Sequence, residues 1–136
     1  MFHVKHRNDL PLIYSPHYSI PWDSNHRFPM AKYRLLYELL RIKGIAHRNN
    51  VHISSPVMRS QLLLAHCPEY IDRFISGQMP ESECKQLGLL WSEQLVKRTL
   101  TAIGGTLLTC RLAATYGMAC HLAGGTHHSF YDRGGG

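Results

Sequence analysis

The chain has 136 residues, of which 44% are hydrophobic and 18% charged, and this length and composition fit one globular domain. No stretch approaches the roughly 20 apolar residues of a membrane span, and four scattered cysteines without a CxxC pair argue against a disulfide scaffold. The N-terminus is positively charged but lacks the continuous apolar core of a secretory signal, so a cytoplasmic location is expected.

The net charge of +6 raises the question of nucleic-acid binding. The Lys and Arg residues are dispersed singly or in pairs along the expected helices, and solvated helix faces account for most of them. Nucleic acid is therefore not an expected partner. Two alternatives stay open: a non-catalytic basic module that binds nucleic acid, and a basic part of a longer protein whose acidic part is missing.

Two strands and two helices are predicted in the first half of the chain. The positions of proline and glycine and the spacing of apolar residues predict these elements. They are a buried strand at Leu10–Tyr14, an ordered loop at 15–28, an amphipathic helix at Met30–Ile42, a short strand at Val51–Ile53 and a helix from Ser55-Pro56 to about Ala65.

The second half predicts two brief helices, one long helix and one strand. The brief helices run from Cys67 through Phe74 and from Pro80 onward, the long helix runs from Ser92 to Gly117, and the strand covers Met118–Ala123. Gly104-Gly105 costs the long helix about 1 kcal/mol per glycine, so another part of the chain must pack very close there. Helix, buried strand and polar loop in this order predict an α/β parallel sheet with a site at the strand's carboxyl end.

Two adjacent histidines, His127 and His128, follow Gly124-Gly125 at that predicted strand end. Glycine lets backbone approach a ligand, and imidazole transfers protons near neutral pH. The pattern therefore indicates a catalytic loop, with an exposed histidine pair that has no function as the alternative.

The segment Leu122–Gly136, LAGGTHHSFYDRGGG, resembles the tandem-histidine signature of histone deacetylases and of the related bacterial acetoin-utilisation and acetylpolyamine hydrolases. The resemblance, closest to the bacterial class-IV-like branch, extends over nearly the whole chain through four further patterns. These are YSPHY at Tyr14–Tyr18, HRFPMAKY at His26–Tyr33, HCPEYI at His66–Ile71, and GLLWSEQLVKRT followed by IGGT between Gly88 and Thr106.

The resemblance implies a three-layer parallel sheet of the arginase/deacetylase type and hydrolysis of N-acetyl amides, either acetylated lysine or an acetylated small amine. Zinc would polarise the acetyl carbonyl and activate water. His127 would hydrogen-bond the zinc-bound water, and His128 would act as general base and then general acid. Gly136 matches a glycine lining the acyl-lysine tunnel. Lys32 matches a cation near the internal channel behind the zinc, with a solvated helix residue as the alternative.

The family's zinc ligands, an Asp-x-His pair and a second Asp, and its oxyanion-site Tyr fall beyond Gly136, so no metal ligand is expected within residues 1–136. The chain is expected to be the N-terminal part of one deacetylase domain, inactive alone and poorly stable because its sheet has an exposed edge. A longer gene would make it a fragment of an active enzyme, and a stop codon would make it a relic or split product. Its oligomeric state is unreadable.

Several further residues have plainer interpretations. His121 is expected to be a packed histidine bonded to a neighbour, and Cys110 and Cys120 are expected to fill the core. His66 and Tyr70 are expected to fix a loop against the helices. Trp22 and Phe28 either line a tunnel entrance or pack on their own loop. With ten histidines a small metal-binding protein is a third possible function, although no HxxxH frame supports it.

Overall fold

A computed structural model describes residues 10–22, 26, 28–124 and 128–135. The strands are β1 (Leu12–Tyr14), β2 (Val51–Ile53), β3 (Cys120–His121), β4 (His128–Ser129) and β5 (Gly134–Gly135). The helices are α1 (Lys32–Ile42), α2 (Arg59–Leu62), α3 (Pro68–Ser76), α4 (Glu81–Leu87) and α5 (Glu93–Tyr116), and a single 3-10 turn at Pro16–Tyr18 follows β1.

The main sheet is parallel and has the strand order β2-β1-β3. Leu12 of β1 lies opposite both Val51 of β2 and Cys120 of β3. All three β1 residues are buried, as expected for a central parallel strand. The predicted α/β class and parallel sheet are therefore confirmed. The full three-layer arrangement is not present among the described residues, which place three strands in this sheet.

The strand predicted at Met118–Ala123 is shorter in the structure. Only Cys120 and His121 form ladder positions, and Met118 is 66% exposed. The amide of Leu122 still donates to the carbonyl of Ile13 at 2.9 Å. β3 lies at the edge of the three-stranded sheet, so one flank of this strand has no strand neighbour in the described part of the chain.

The main core lies around the β1 strand and the turn after it. Tyr18 is completely buried, and its ring meets Tyr14 and Tyr33 edge to face. The other buried members are Leu12, Met30, Ala46 and Leu122. A second, smaller cluster of Val57, Leu62 and Ile71 lies where α2 and α3 meet α5. The sheet side of the molecule therefore contains most of the buried apolar volume.

The glycine pair of α5 permits the close packing predicted from the sequence. A Cβ on Gly104 would collide with the backbone carbonyl of Ser55, and one on Gly105 would collide with the Tyr18 hydroxyl and the His121 ring. The contact at Ser55 also explains why the helix predicted to start at Ser55-Pro56 starts later in the structure. Because the segment after Ser55 lies against α5, with the Val57 amide donating to the Leu100 carbonyl, α2 begins only at Arg59.

After the main sheet, β4 and β5 form a separate antiparallel hairpin. His128 lies opposite Gly135, and Ser129 lies opposite Gly134. The amide of Phe130 donates to the carbonyl of Arg133 and closes the turn. No helix within the described residues is long and apolar enough to cross a membrane.

Candidate active site

The residues predicted to form the site fall on different elements. His128 is the exposed first residue of β4, and Lys32 is the exposed first residue of α1. His127 and Gly136 lie outside the described residues. The structure therefore locates one of the two catalytic histidines and one of the two substrate-binding residues predicted from the sequence.

Lys32 lies against two aromatic rings. Its Nζ is 4.4 Å from the centroid of Phe28 and 5.2 Å from that of Tyr33. Such contacts hold an ammonium group in place by about 0.5–1 kcal/mol at exposed sites. The role of Lys32 near a substrate channel stays a prediction, because a solvated helix residue with no role in the site would be exposed in the same way.

Tyr33 joins the start of α1 to the glycines that precede the histidine pair. Its ring is 5% exposed, and its hydroxyl donates to the backbone carbonyl of Gly124 at 3.2 Å. Gly124 comes shortly after His121, the last residue of β3, so this hydrogen bond lies beyond the carboxyl end of that strand. In the sequence Tyr33 is the last residue of the HRFPMAKY motif, and nothing in that motif alone indicates this contact.

Arg98 of α5 is a buried cation, although the dispersed basic residues of the sequence predict mostly solvated helix faces. It is 7% exposed, its Nε donates to the Tyr18 carbonyl at 3.0 Å, and its guanidinium lies 5.1 Å from the Tyr33 ring centroid. Its second terminal nitrogen, Nη2, is buried and has no hydrogen-bond partner within the described part of the chain. The available signal was its spacing, because Leu95, Arg98 and Thr101 form one helix face and all three are buried.

A chain of hydrogen bonds connects the three parallel strands. The Tyr18 hydroxyl contacts the Ser54 hydroxyl at 2.7 Å and His121 Nε2 at 2.8 Å. Burial lowers the pKa of His121 below its ordinary value of 6.5 and raises the pKa of Tyr18. Both groups are therefore held in their neutral forms near pH 7. The packed, hydrogen-bonded histidine predicted at position 121 is confirmed.

The hairpin that carries His128 is held from the other side by the HCPEYI motif. His66 Nδ1 hydrogen-bonds the carbonyl of Phe130 at 3.0 Å, and the amide of Cys67 donates to the carbonyl of Tyr131 at 3.0 Å. A Cβ on Gly134 would approach the Tyr70 hydroxyl at 2.9 Å. The prediction that His66 and Tyr70 fix a loop against the helices is confirmed.

Two other side-chain predictions have different outcomes. Cys110 and Cys120 are both exposed, so their prediction as core residues is wrong. Cys110 lies off the buried face of α5, and Cys120 lies on the edge strand β3. Trp22 and Phe28 are half-buried and pack against the main core, which favours the loop-packing interpretation.

Comparisons with known proteins agree with the motifs. Residues 26–136 match the family model of the histone deacetylase domain. The chain is 43% identical over 126 residues to an uncharacterised protein of Picosynechococcus sp., covering 93% of this chain and 42% of that relative. It is 32% identical over 127 residues to the acetoin utilization protein AcuC of Staphylococcus xylosus, covering 85% of this chain and 32% of AcuC.

The chain thus spans about two-fifths and one-third of the lengths of these two relatives. The family match covers most of the chain and includes both motifs that hold the residues around the histidine pair, namely HRFPMAKY with Tyr33 and HCPEYI with His66. The chain therefore belongs to the histone deacetylase family, whose domain has the arginase/deacetylase fold.

Proposed function

We propose that this chain contributes the proton-transferring histidines of a zinc-dependent deacetylase that hydrolyses N-acetyl-lysine or a related acetyl amide. The observation that carries the proposal is the position of Gly124 and His128, the described ends of the glycine-histidine segment. The segment begins beyond the carboxyl end of β3 in a parallel sheet, where α/β proteins place their sites, and it ends at His128 on β4.

Members of the family are generally zinc-dependent. Within the described residues no three His, Cys, Asp or Glu side chains come together in a way that could hold a metal ion. The described side chains therefore do not fit a zinc cage, and the proposed enzyme takes its ligands from sequence beyond residue 136. The same observation gives no support to a small histidine-rich metal-binding protein.

The imidazoles handle protons in the proposed reaction. His128 takes a proton from the attacking water and delivers it to the departing amine nitrogen, so the amide and water become acetate and a free amine. His127 orients the water. In this proposal Gly136 lines the passage for the acetylated side chain, and Lys32 supplies positive charge near the internal channel behind the zinc.

The proposal treats residues 1–136 as the N-terminal part of one deacetylase domain that is inactive alone. The substrate is an acetylated lysine or acetylated small amine, and the cytoplasm is the proposed location. AcuC, named for acetoin utilization, is consistent with bacterial small-molecule metabolism as one setting for such an enzyme.

The structure offers little support for the alternative of a basic module that binds nucleic acid. Such binding needs a cluster of free cations on one face. Five described cations instead pair with nearby carboxylates, and Arg98 is buried. The pairs are Arg34–Glu38, Arg59–Asp72, Arg73–Glu83, Lys85–Glu81 and Arg133–Asp132.

Replacing His128 with Ala tests the proposed role. In the full-length, zinc-loaded protein, His128→Ala should lower kcat for an acetyl-lysine peptide by about 10²–10⁴-fold, because the general acid-base group is lost. Zinc content should be unchanged. Ser129→Ala, the next residue on the same exposed strand, is the matched control and should retain near-wild-type kcat. Full activity in His128→Ala would refute the assignment.

A further inference from the structure

Tyr33 is the described side chain that binds the backbone just before the histidine pair. The last hydrogen bond between β3 and β1 comes from the amide of Leu122, and the next anchored group along the chain is the Gly124 carbonyl, which accepts from the Tyr33 hydroxyl. Gly124 has no side chain, and a Cβ there would meet nothing within 4 Å. Packing of a side chain therefore cannot fix this peptide, whereas the Tyr33 hydroxyl can.

The Tyr33 ring is itself held by groups from two other elements. On one side the Arg98 guanidinium of α5 lies 5.1 Å from the ring centroid. The Tyr18 ring meets it edge to face at 6.4 Å, and the Tyr18 carbonyl accepts from Arg98 Nε. Tyr18 is in turn bonded to Ser54 and His121. The hydroxyl of Tyr33 is thus fixed relative to the carboxyl ends of all three parallel strands.

Arg98 has no carboxylate partner among the described residues, although burying an unpaired guanidinium is costly. Its described contacts are the Tyr18 carbonyl and the faces of Tyr33 and Phe28. A lysine would offer neither the planar stacking surface nor the fixed Nε donor direction. These contacts explain why an arginine stands at a position where a leucine would fill the core without the cost of burying a charge.

We propose that Tyr33, clamped by Arg98, is a positioning residue that fixes the Gly124 peptide, from which the chain leads to His128, for proton transfer. The inference rests on the proposed function, since it assigns Tyr33 a part in the same reaction. Tyr33 acts through the Gly124 carbonyl and touches neither substrate nor metal. Displacing a catalytic group by about 1 Å can cost on the order of 10²-fold in rate, so one backbone hydrogen bond near the histidines has a large leverage.

Tyr33→Phe tests this in the full-length, zinc-loaded protein, because it keeps the ring that Arg98 and Tyr18 contact and removes only the hydroxyl. We expect kcat for an acetyl-lysine peptide to fall by about ten- to a hundredfold, with KM and zinc content close to wild type. The control is Tyr37→Phe, one turn further along α1, whose ring stacks on Tyr14 at 3.8 Å. An unchanged kcat in Tyr33→Phe would overturn the proposal.

Amide hydrogen exchange supplies a readout that needs no activity. In Tyr33→Phe the amides of Gly124 and His128, the two described ends of the segment, should exchange at least about tenfold faster than in wild type, while the amides of Leu12 and Leu122 in the sheet keep their wild-type rates. Unchanged exchange at both Gly124 and His128, or equal acceleration throughout the sheet, would overturn the positioning role. If the wild-type protein hydrolyses no acetyl amide, the proposed function fails, and the exchange experiment still decides the role of Tyr33.

Discussion

The parts of the chain before and after the glycine-histidine segment are held by hydrogen bonds that differ in their exposure to water. Before it, β3 and Gly124 are attached to a buried network of Tyr18, Tyr33, Arg98 and His121. After it, the β4–β5 hairpin is attached by an exposed hydrogen bond from the His66 side chain and by the Cys67 amide. A hydrogen bond sheltered from water resists opening far more than an exposed one, so the sheet side sets geometry and the hairpin side adapts.

This difference suits the proposed chemistry. A general base must stay in register with the reacting atoms, and His128, the proposed base, is the first residue of β4, where the hairpin side begins. Its register therefore depends on the rigid anchor that the sheet side supplies at Gly124, while the far end of the hairpin, closed by the Phe130 amide and the Arg133 carbonyl, can open locally at little cost. Substitutions on the two sides should therefore differ in kind, with global loss of stability on the sheet side and local opening on the hairpin side.

The largest effect is expected from Gly104→Ala. In an open helix this change would add about 1 kcal/mol of stability, because alanine is the better helix former. Here the new Cβ meets the Ser55 backbone carbonyl, which cannot move without separating α5 from the β2 side of the sheet. We expect a net loss of about 3 kcal/mol in the free energy of unfolding, measured by urea denaturation.

Gly44→Ala is the matched control for that experiment. Gly44 has a left-handed backbone with φ of 68°, and a Cβ there meets nothing within 4 Å. Its loss should be about 1 kcal/mol, from backbone strain alone. A Gly104→Ala protein as stable as wild type would show that the close approach of α5 does not hold the sheet side together.

A smaller, pH-dependent effect is expected from His121. Its folded-state pKa lies below the unfolded value of 6.5 because of burial, so the unfolded chain binds the proton more readily. The stability from this residue is therefore fully present above about pH 6.5 and falls as the pH decreases, by no more than about 1.4 kcal/mol per pH unit. His121→Asn should flatten the decline measured by urea unfolding between pH 7 and 5.

His17→Asn, at an exposed histidine after β1, controls for the loss of an imidazole. It should retain the wild-type decline. If His121→Asn and wild type lose stability in parallel over this range, the buried network does not keep His121 neutral, and the sheet side is less sealed than the structure indicates.

The smallest effect on global stability is expected from His66→Ala on the hairpin side. The exposed bond to the Phe130 carbonyl contributes about 0.5–1 kcal/mol at most, and the Cys67 amide still holds the hairpin. The amide of Phe130 should nevertheless exchange several-fold faster, while that of Leu122 is unchanged. Equal acceleration at both amides would remove the distinction between the two sides.

Much of the sheet side could be predicted from the sequence. The apolar runs at Leu12–Tyr14 and Val51–Ile53, the long helix α5 and the close approach at Gly104-Gly105 all follow from local patterns. The start of α2 could not be predicted in the same way. Ser55-Pro56 is a good local helix start, and only the long-range contact with α5 keeps that segment out of the helix.

The supporting residues of the candidate site were harder to predict than the histidines. A histidine pair after two glycines is visible as a local sequence pattern. The roles of Tyr33 and Arg98 depend instead on contacts with residues that are 91 and 80 positions away in the sequence, respectively. Helix periodicity alone treats an arginine as solvent-facing unless its neighbours on the same face are examined. Cys110 and Cys120 show the reverse error, since apolar character alone predicted burial that the edge strand and the outer helix face do not provide.

The most direct test of the proposed deacetylase activity is to measure acetate and free amine. Both are quantified after the full-length, zinc-loaded protein is incubated with an acetyl-lysine peptide or an acetylated polyamine. The account predicts one acetate released for each free amine formed, with release stopped by a chelator and restored by added zinc. A fully zinc-loaded, folded protein that forms neither acetate nor free amine from any acetylated amine would contradict it.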